Sequence, residues 1–242
     1  QYSTRAFFPY QVLMNVFPVS TWDFFSLMRL WIAGFFTFMF LRRINLCFTA
    51  ALIGGIFYMF SGTFTWFIHL EEFVNVAMVV PLLMWAVQGL WVCRIWTAVA
   101  ILGVVIALVF LAGQPEVALY AFLLASLYFL FKVFFLQDTE KLVKFLLFGC
   151  SGVLGIMLAS PLLLLFYEMV SNSYHIHPPG SGMGTIGVSK LMNAVAIVMP
   201  TFLERETWYR FFPDNGGIDY LGGYTGILPI FLMAGGILIS LI

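Results

Sequence analysis

Long uninterrupted apolar runs constrain the fold of this chain more than any other feature. Several runs reach about 18 residues or more, which is enough for an α-helix to cross a hydrocarbon core of roughly 30 Å. The chain is 62% hydrophobic, whereas soluble domains are nearer roughly half. Its formal net charge is +0, so the sequence gives no electrostatic reason to expect nucleic-acid binding. The sequence therefore predicts an all-α, multi-pass protein whose partner is the lipid bilayer of a cell membrane.

About seven membrane-spanning helices are predicted, within a single transmembrane domain that covers residues 1–242. Their expected ranges are 24–41, 49–68, 74–91, 95–111, 117–136, 145–167 and 223–242. Residues 1–21 are expected to be the tail of an outer loop. Residues 168–222 are expected to form a long outer loop with a short interfacial helix near 190–199, because that apolar segment is too short to span.

Two sets of glycines within the predicted spans favour close helix packing, because small residues let backbones approach. Gly54 and Gly55 lie in the second span, and Gly149, Gly152 and Gly155 lie at helical spacing in the sixth. The chain starts at Gln1 and ends inside an apolar run. We therefore expect a fragment of a longer protein; if its start lies on the outer side of the membrane, at least one further span is expected upstream.

The basic residues of the short loops predict the orientation of the chain. If the spans alternate, one side of the membrane receives Arg42, Arg43, Arg94, Lys132, Lys141 and Lys144. The short turns on the other side contain no Lys or Arg. Because cytoplasmic loops are enriched in these residues, the first side is expected to be cytoplasmic and the N-terminal end of the chain to lie outside. All three histidines and most acidic residues then lie outside, which places the predicted site on the outer face.

The main catalytic candidates lie in the stretch 60–73, where a histidine and two carboxylates stand between two apolar runs. A carboxylate there could act as a general base or bind a divalent cation that holds a phosphate. His69 and Glu72, three residues apart, could face one cavity if helical. Glu71 diverges from Glu72 by about 100° on a helix and is expected to face solvent. The alternative is a solvated turn between two spans.

Three further residues are substrate-binding candidates. Arg29 lies within the first span, where a charge is costly and favours a functional role; it is expected to pair with Asp23, to reach the membrane surface, or to hold a lipid-linked phosphate. Gln114 and Glu116 flank Pro115 in the tightest outer turn, where they could bind sugar hydroxyls. The alternative for Glu116 is a favourable interaction with the N-terminus of the next helix.

The remaining candidates that rest on side-chain chemistry alone lie in the predicted long outer loop. Glu168, His175 and His177 could take part in a metal site, but two histidines without a third ligand do not define one. Arg205, with neighbouring Trp208, could bind a phosphate and stack on a sugar ring. The alternatives are a polar loop and an anchor at the lipid headgroups.

Three stretches resemble the bacterial YfhO family of membrane proteins, which are relatives of the GT-C glycosyltransferases. They are LWIAG to LRR at 30–43 with AALIGGIFYMFSG at 50–62, AGQPE with ALY at 112–120, and MPTF at 199–202 with YTGILP at 224–229. The resemblance covers most of the chain in order and spacing. It implies a GT-C-like fold with an outer-face cavity, and it adds Tyr224 as a substrate-binding candidate.

The resemblance also implies an activity, the transfer of a sugar from a polyprenyl-phosphate donor to an envelope glycopolymer acceptor such as a teichoic acid. GT-C enzymes usually carry a catalytic acidic residue in their first outer loop. Residues 1–21 contain none, so that base is expected upstream and the fragment alone could be inactive. The alternative function is a non-enzymatic membrane transporter or envelope scaffold protein.

Overall fold

A computed structural model describes residues 7–68, 70–135 and 140–172. Within these ranges every regular element is helical and no strand occurs. The α-helices are α1 Pro9–Val16, α2 Trp22–Arg43, α3 Phe48–Met59, α4 Gly62–Trp66, α5 Glu71–Gln88, α6 Ile95–Leu111, α7 Pro115–Phe135 and α8 Lys141–Ser171. Short 3₁₀ turns, Val19–Thr21 and Gly89–Trp91, precede α2 and follow α5. Helix α4 belongs to a second compact unit, and the other seven helices belong to the first.

The described helices confirm the all-α class and provide several segments that could cross a membrane. Five are long and apolar enough: Val19–Arg43, Phe48–Thr65, Glu71–Trp91, Pro115–Phe135 and Lys141–Met169. Helix α6 is apolar and has the predicted bounds, but its 17 residues make it about 25 Å long. The predicted span 223–242, the interfacial helix near 190–199 and most of the predicted outer loop lie outside the described residues.

The second predicted span, 49–68, is not one continuous helix. Helix α3 ends at Met59, and Ser61 has an extended backbone with φ −67° and ψ 160°. The carbonyl of Ser61 then accepts hydrogen bonds from the backbone N–H groups of Phe64 and Thr65, so that α4 begins at Gly62. Hydropathy did not predict this break, because both sides of it are apolar.

Helix α5 is the central helix of the first unit and packs against α2, α6 and α7. Of its most apolar window, 61% is buried, against 17–33% in the other candidate spans. The helix begins at Glu71, three residues before the predicted start. Acidic side chains in a first turn interact favourably with the positive end of the helix dipole, so Glu71 and Glu72 lie on the helix itself. These two residues therefore lie on a helix rather than in the turn between two spans that the alternative described.

Glycine contacts explain how closely two pairs of helices pack. A Cβ atom on Gly55 would lie 2.7 Å from the carbonyl oxygen of Gly34, which brings α3 against α2. A Cβ atom on Gly155 would lie 2.9 Å from the carbonyl oxygen of Gly103, which brings α8 against α6. The predictions for Gly55 and Gly155 are confirmed. The prediction for Gly149 was wrong, since Gly149 is exposed and no described atom lies within 4 Å of a Cβ built on it. Gly152 is buried, and its packing partner stays a prediction.

Large apolar side chains cover the outside of the first unit. Exposed examples lie on α2, α7 and α8: Trp31, Phe35, Leu127, Phe131, Met157 and Leu164. A soluble domain rarely exposes an apolar surface of this extent, whereas a bilayer favours it. The fold therefore fits a lipid environment, as the apolar runs predicted.

Candidate functional site

Arg29 is the largest fully buried side chain of the described residues, with 0% exposure. It projects from α2, two turns after the start of the helix. Its Nη2 atom lies 3.3 Å from Gln11 Oε1 and 3.3 Å from Met14 Sδ, and its guanidinium lies 5.4 Å from the ring centre of Tyr10. All three neighbours belong to α1. A buried charge is strongly destabilising without such partners, so α1 serves to hold Arg29.

A carboxylate completes the surroundings of Arg29. Glu71 Oε1, in the first turn of α5, lies 3.6 Å from Arg29 Nη2, and the Glu71 side chain is 18% exposed. The expected pairing of Arg29 with Asp23 is wrong, because Asp23 is exposed. The expectation that Glu71 faces solvent was also wrong. We call Tyr10, Gln11, Met14, Arg29 and Glu71 the Arg29 centre.

Tyr10 joins α1 to α2 at the edge of the Arg29 centre. Its hydroxyl donates a hydrogen bond to the Phe25 carbonyl, and its ring packs edge-on against the Phe25 ring at 5.9 Å. Burial raises the pKa of Tyr10 to about 12, although the positive charge of Arg29 acts in the opposite direction. The phenol therefore remains a hydrogen-bond donor throughout the neutral range.

The raised pKa of Tyr10 predicts a loss of stability at high pH. An unfolded tyrosine ionises near 10.0 and the folded one near 12, so the folded state binds more protons between these values and stability falls as pH rises through them. We expect the Tyr10→Phe variant to lack this component of the pH dependence, measured as the unfolding free energy of both proteins in detergent. Identical pH dependence in the two proteins would contradict the assignment.

Asn75 ties the first turns of α5 to the turn between α6 and α7. It lies one helical turn after Glu71, has 0% exposure, and its Nδ2 atom donates to the Ala112 carbonyl at 3.4 Å. Gly113 follows with a positive φ of 142°, a backbone conformation that favours glycine. The start of α5 and the α6–α7 turn therefore lie at the same end of the bundle. We call it the acidic end, because it carries Glu71, Glu72 and Glu116.

The described part of the chain locates five of the eight residues predicted for the site. Glu72 is half-buried beside Glu71, and Gln114 is half-buried at the start of α7, where its carbonyl accepts from the Ala118 N–H. Glu116 is exposed in the first turn of α7. Arg29 is the fifth. The structure brings Arg29 to Glu71 and leaves Glu116 in the position that the helix-dipole alternative predicted.

The remaining predicted residues lie elsewhere. Glu168 is exposed on the last turns of α8, which continues to Ser171, so it does not open a loop as expected. His69, Arg205 and Tyr224 lie outside the described residues, as do His175 and His177. No group of three or more His, Cys, Asp or Glu side chains suited to a metal ion occurs within the described ranges. The described residues therefore provide no set of ligands for the divalent cation that the sequence suggested.

The opposite end of α5 is surrounded by basic residues. Arg43 of α2, Lys132 of α7 and Lys144 of α8 all contact the segment 85–93. Arg42 adjoins Arg43 at the end of α2. Lys141 lies three residues before Lys144 at the start of α8. The basic residues that the sequence assigned to one side of the membrane therefore meet at one end of the bundle, which we call the basic end.

The apolar helices and these two polar ends define a multi-pass helical membrane protein. Comparisons with protein-family models, with curated proteins and with solved structures found no match to this chain. The chemistry available at the acidic end is that of a partly exposed carboxylate fixed by a buried guanidinium. Such a carboxylate can accept a proton or bind a cation.

Proposed function

We propose that the chain is a GT-C-like membrane glycosyltransferase that acts at its acidic end. It transfers a sugar from a polyprenyl-phosphate donor to an acceptor of the cell envelope. The observation that carries the proposal is the ion pair of Arg29 with Glu71, because a charge this deep in a span marks a functional site by default. The resemblance to the YfhO family supplies the reaction class. The excess of basic residues at the other end favours an acidic end on the outer face.

In the proposed reaction, Glu71 is the general base. A hydroxyl oxygen of the acceptor forms a bond to the anomeric carbon of the sugar, and the bond from that carbon to the phosphate oxygen breaks. The hydroxyl proton passes to the Glu71 carboxylate, and polyprenyl phosphate leaves. Arg29 is a positioning residue that fixes the direction of the carboxylate. Glu72 and Gln114, both half-buried at the same end, are suited to bind sugar hydroxyls.

The test is sugar transfer in proteoliposomes that contain the purified protein and polyprenyl-phosphate-linked sugars. We expect Glu71→Gln to lower turnover per folded molecule by about 10²–10⁴-fold, the usual contribution of a general base. Glu140→Gln is the matched control, since Glu140 is 67% exposed at the basic end. Arg29→Lys is expected to alter the pH profile of transfer, because lysine would not hold the Glu71 carboxylate in the same orientation. Equal turnover in the two glutamine variants would refute the proposal.

A further inference from the structure

The turn that ends α5 is contacted by cations from three different helices. Lys132 Nζ donates to Gln88 Oε1 and lies 4.2 Å from the centre of the Trp91 ring. Lys144 Nζ donates to the Leu90 carbonyl at 2.9 Å. A Cβ atom on Gly89 would lie 3.3 Å from Arg43 Nη2. Each of the four residues 88–91 thus has a cation beside it, and we call Arg43, Lys132 and Lys144 the cation cluster.

Two features hold Arg43 at this position. Its guanidinium stacks over the Trp85 ring at 4.1 Å, and its Nη2 atom donates to Cys93 Sγ at 2.9 Å. Its Nη1 atom is buried and has no hydrogen-bond partner among the described residues. A guanidinium has five N–H donors in a rigid planar arrangement that matches a phosphate. The unused donor therefore indicates a further acceptor at the cluster.

The cluster gathers three positive charges around one turn. The C-terminal end of α5 supplies roughly −0.5 elementary charge. In the described ranges Glu140 forms an ion pair with Lys144 at 4.0 Å, and its side chain is 67% exposed. Three cations around one turn repel each other, so a bound anion with several acceptor oxygens would stabilise them.

Apolar side chains at the same end favour a lipid over a soluble anion. Val92 and Trp96 follow the turn and are 65% and 85% exposed, and Phe135 and Leu142 at the adjoining ends of α7 and α8 are each 74% exposed. A free phosphate would gain nothing from these side chains. A phospholipid would place its phosphate on the cations and its acyl chains along the apolar surface.

We propose that the cation cluster is a binding site for the phosphodiester headgroup of an anionic phospholipid. Its donors are Arg43, Lys132 and Lys144, and its apolar wall includes Val92, Trp96, Phe135 and Leu142. The site lies at the end of α5 opposite the Arg29 centre and is independent of the proposed transfer reaction. Basic pockets between membrane helices are suited to such lipids.

The test compares the thermal stability and lipid retention of the full chain in nanodiscs of phosphatidylcholine with and without phosphatidylglycerol. We expect the anionic lipid to stabilise the unmodified protein and to be retained on purification. Lys144→Gln and Arg43→Gln are each expected to weaken this preference about fivefold, because one cation near the surface contributes about that factor. Arg94→Gln removes the same charge from an exposed residue that lies next to Cys93 and is expected to retain the preference.

Three outcomes would overturn the proposal. One is an equal loss of lipid preference in Arg94→Gln and in the cluster variants, which would indicate bulk attraction to an anionic surface. Another is equal stabilisation by inorganic phosphate in phosphatidylcholine discs. The third is an unmodified protein that shows no preference between the two lipids. Because this last comparison needs no variant, a variant that fails to fold leaves the proposal testable.

Discussion

Replacement of Arg29 with alanine is expected to lower the unfolding free energy by about 3–5 kcal/mol, the range for breaking a buried ion pair by removing one partner. The variant loses the contacts of the guanidinium with Gln11, Met14 and Glu71, and it leaves a cavity between α1 and α2. The measurement is reversible unfolding of the purified protein in mixed detergent micelles. This result would show that Arg29 stabilises the start of the bundle.

The matched control is Asp23→Ala. Asp23 lies on the same helix and is the partner that proximity in sequence suggested, but it is exposed. We expect this variant to change stability by no more than about 0.5 kcal/mol, as is usual for exposed sites. The double variant Arg29→Met with Glu71→Leu should be less destabilised than the sum of its single changes, because it removes both charges together. Similar losses in Arg29→Ala and Asp23→Ala would contradict the assigned pair.

The second large effect is expected at the contact of α2 with α3. Gly55→Ala places a Cβ atom 2.7 Å from the Gly34 carbonyl oxygen. A backbone atom cannot move aside as a flexible side chain can, so the helices must separate. We expect a loss of about 1–3 kcal/mol, the usual effect of overpacking, measured in the same unfolding experiment. Gly55→Leu should cause a larger loss.

Gly149→Ala is the control for this prediction, and its expected effect has the opposite sign. Gly149 lies within α8, and a Cβ atom there meets no described atom within 4 Å. Alanine favours a helix over glycine by up to about 1 kcal/mol, so this variant should be as stable as the unmodified protein or slightly more stable. A loss in Gly149→Ala as large as that in Gly55→Ala would mean that packing at Gly34 does not explain the result.

The apolar runs predicted the helices well, because membrane crossing imposes a length that is visible in the sequence. The predicted range 95–111 matches α6 at both ends. The small residues at 61–62 indicated a hinge, but the span 49–68 was predicted as continuous because hydropathy does not change across Ser61. The start of α5 was placed too late because charged residues were excluded from the span, although Glu71 and Glu72 are favourable in a first helical turn.

The Arg29 centre shows where prediction from sequence stops. A charge within a span identified Arg29. The sequence suggested Asp23 as its partner because the two residues lie only six positions apart in the chain. The actual partner, Glu71, depends on α5 packing beside α2, which no local pattern reveals. The glycines show the same limit: spacing identified Gly55 and Gly155 together with Gly149, but only the packed neighbours distinguish a contact from an exposed surface.

The pairing of Arg29 with Glu71 has a consequence for synthesis of the protein in the membrane. Chains are made from the N-terminus, so α2 reaches the bilayer before α5 exists. During that interval Arg29 can have its α1 neighbours Gln11 and Met14, but it lacks the carboxylate of Glu71. We expect the insertion of α5 to complete the surroundings of the guanidinium. We therefore expect α2 to be held less firmly in the bundle until α5, the third long apolar segment of the described chain, has been inserted.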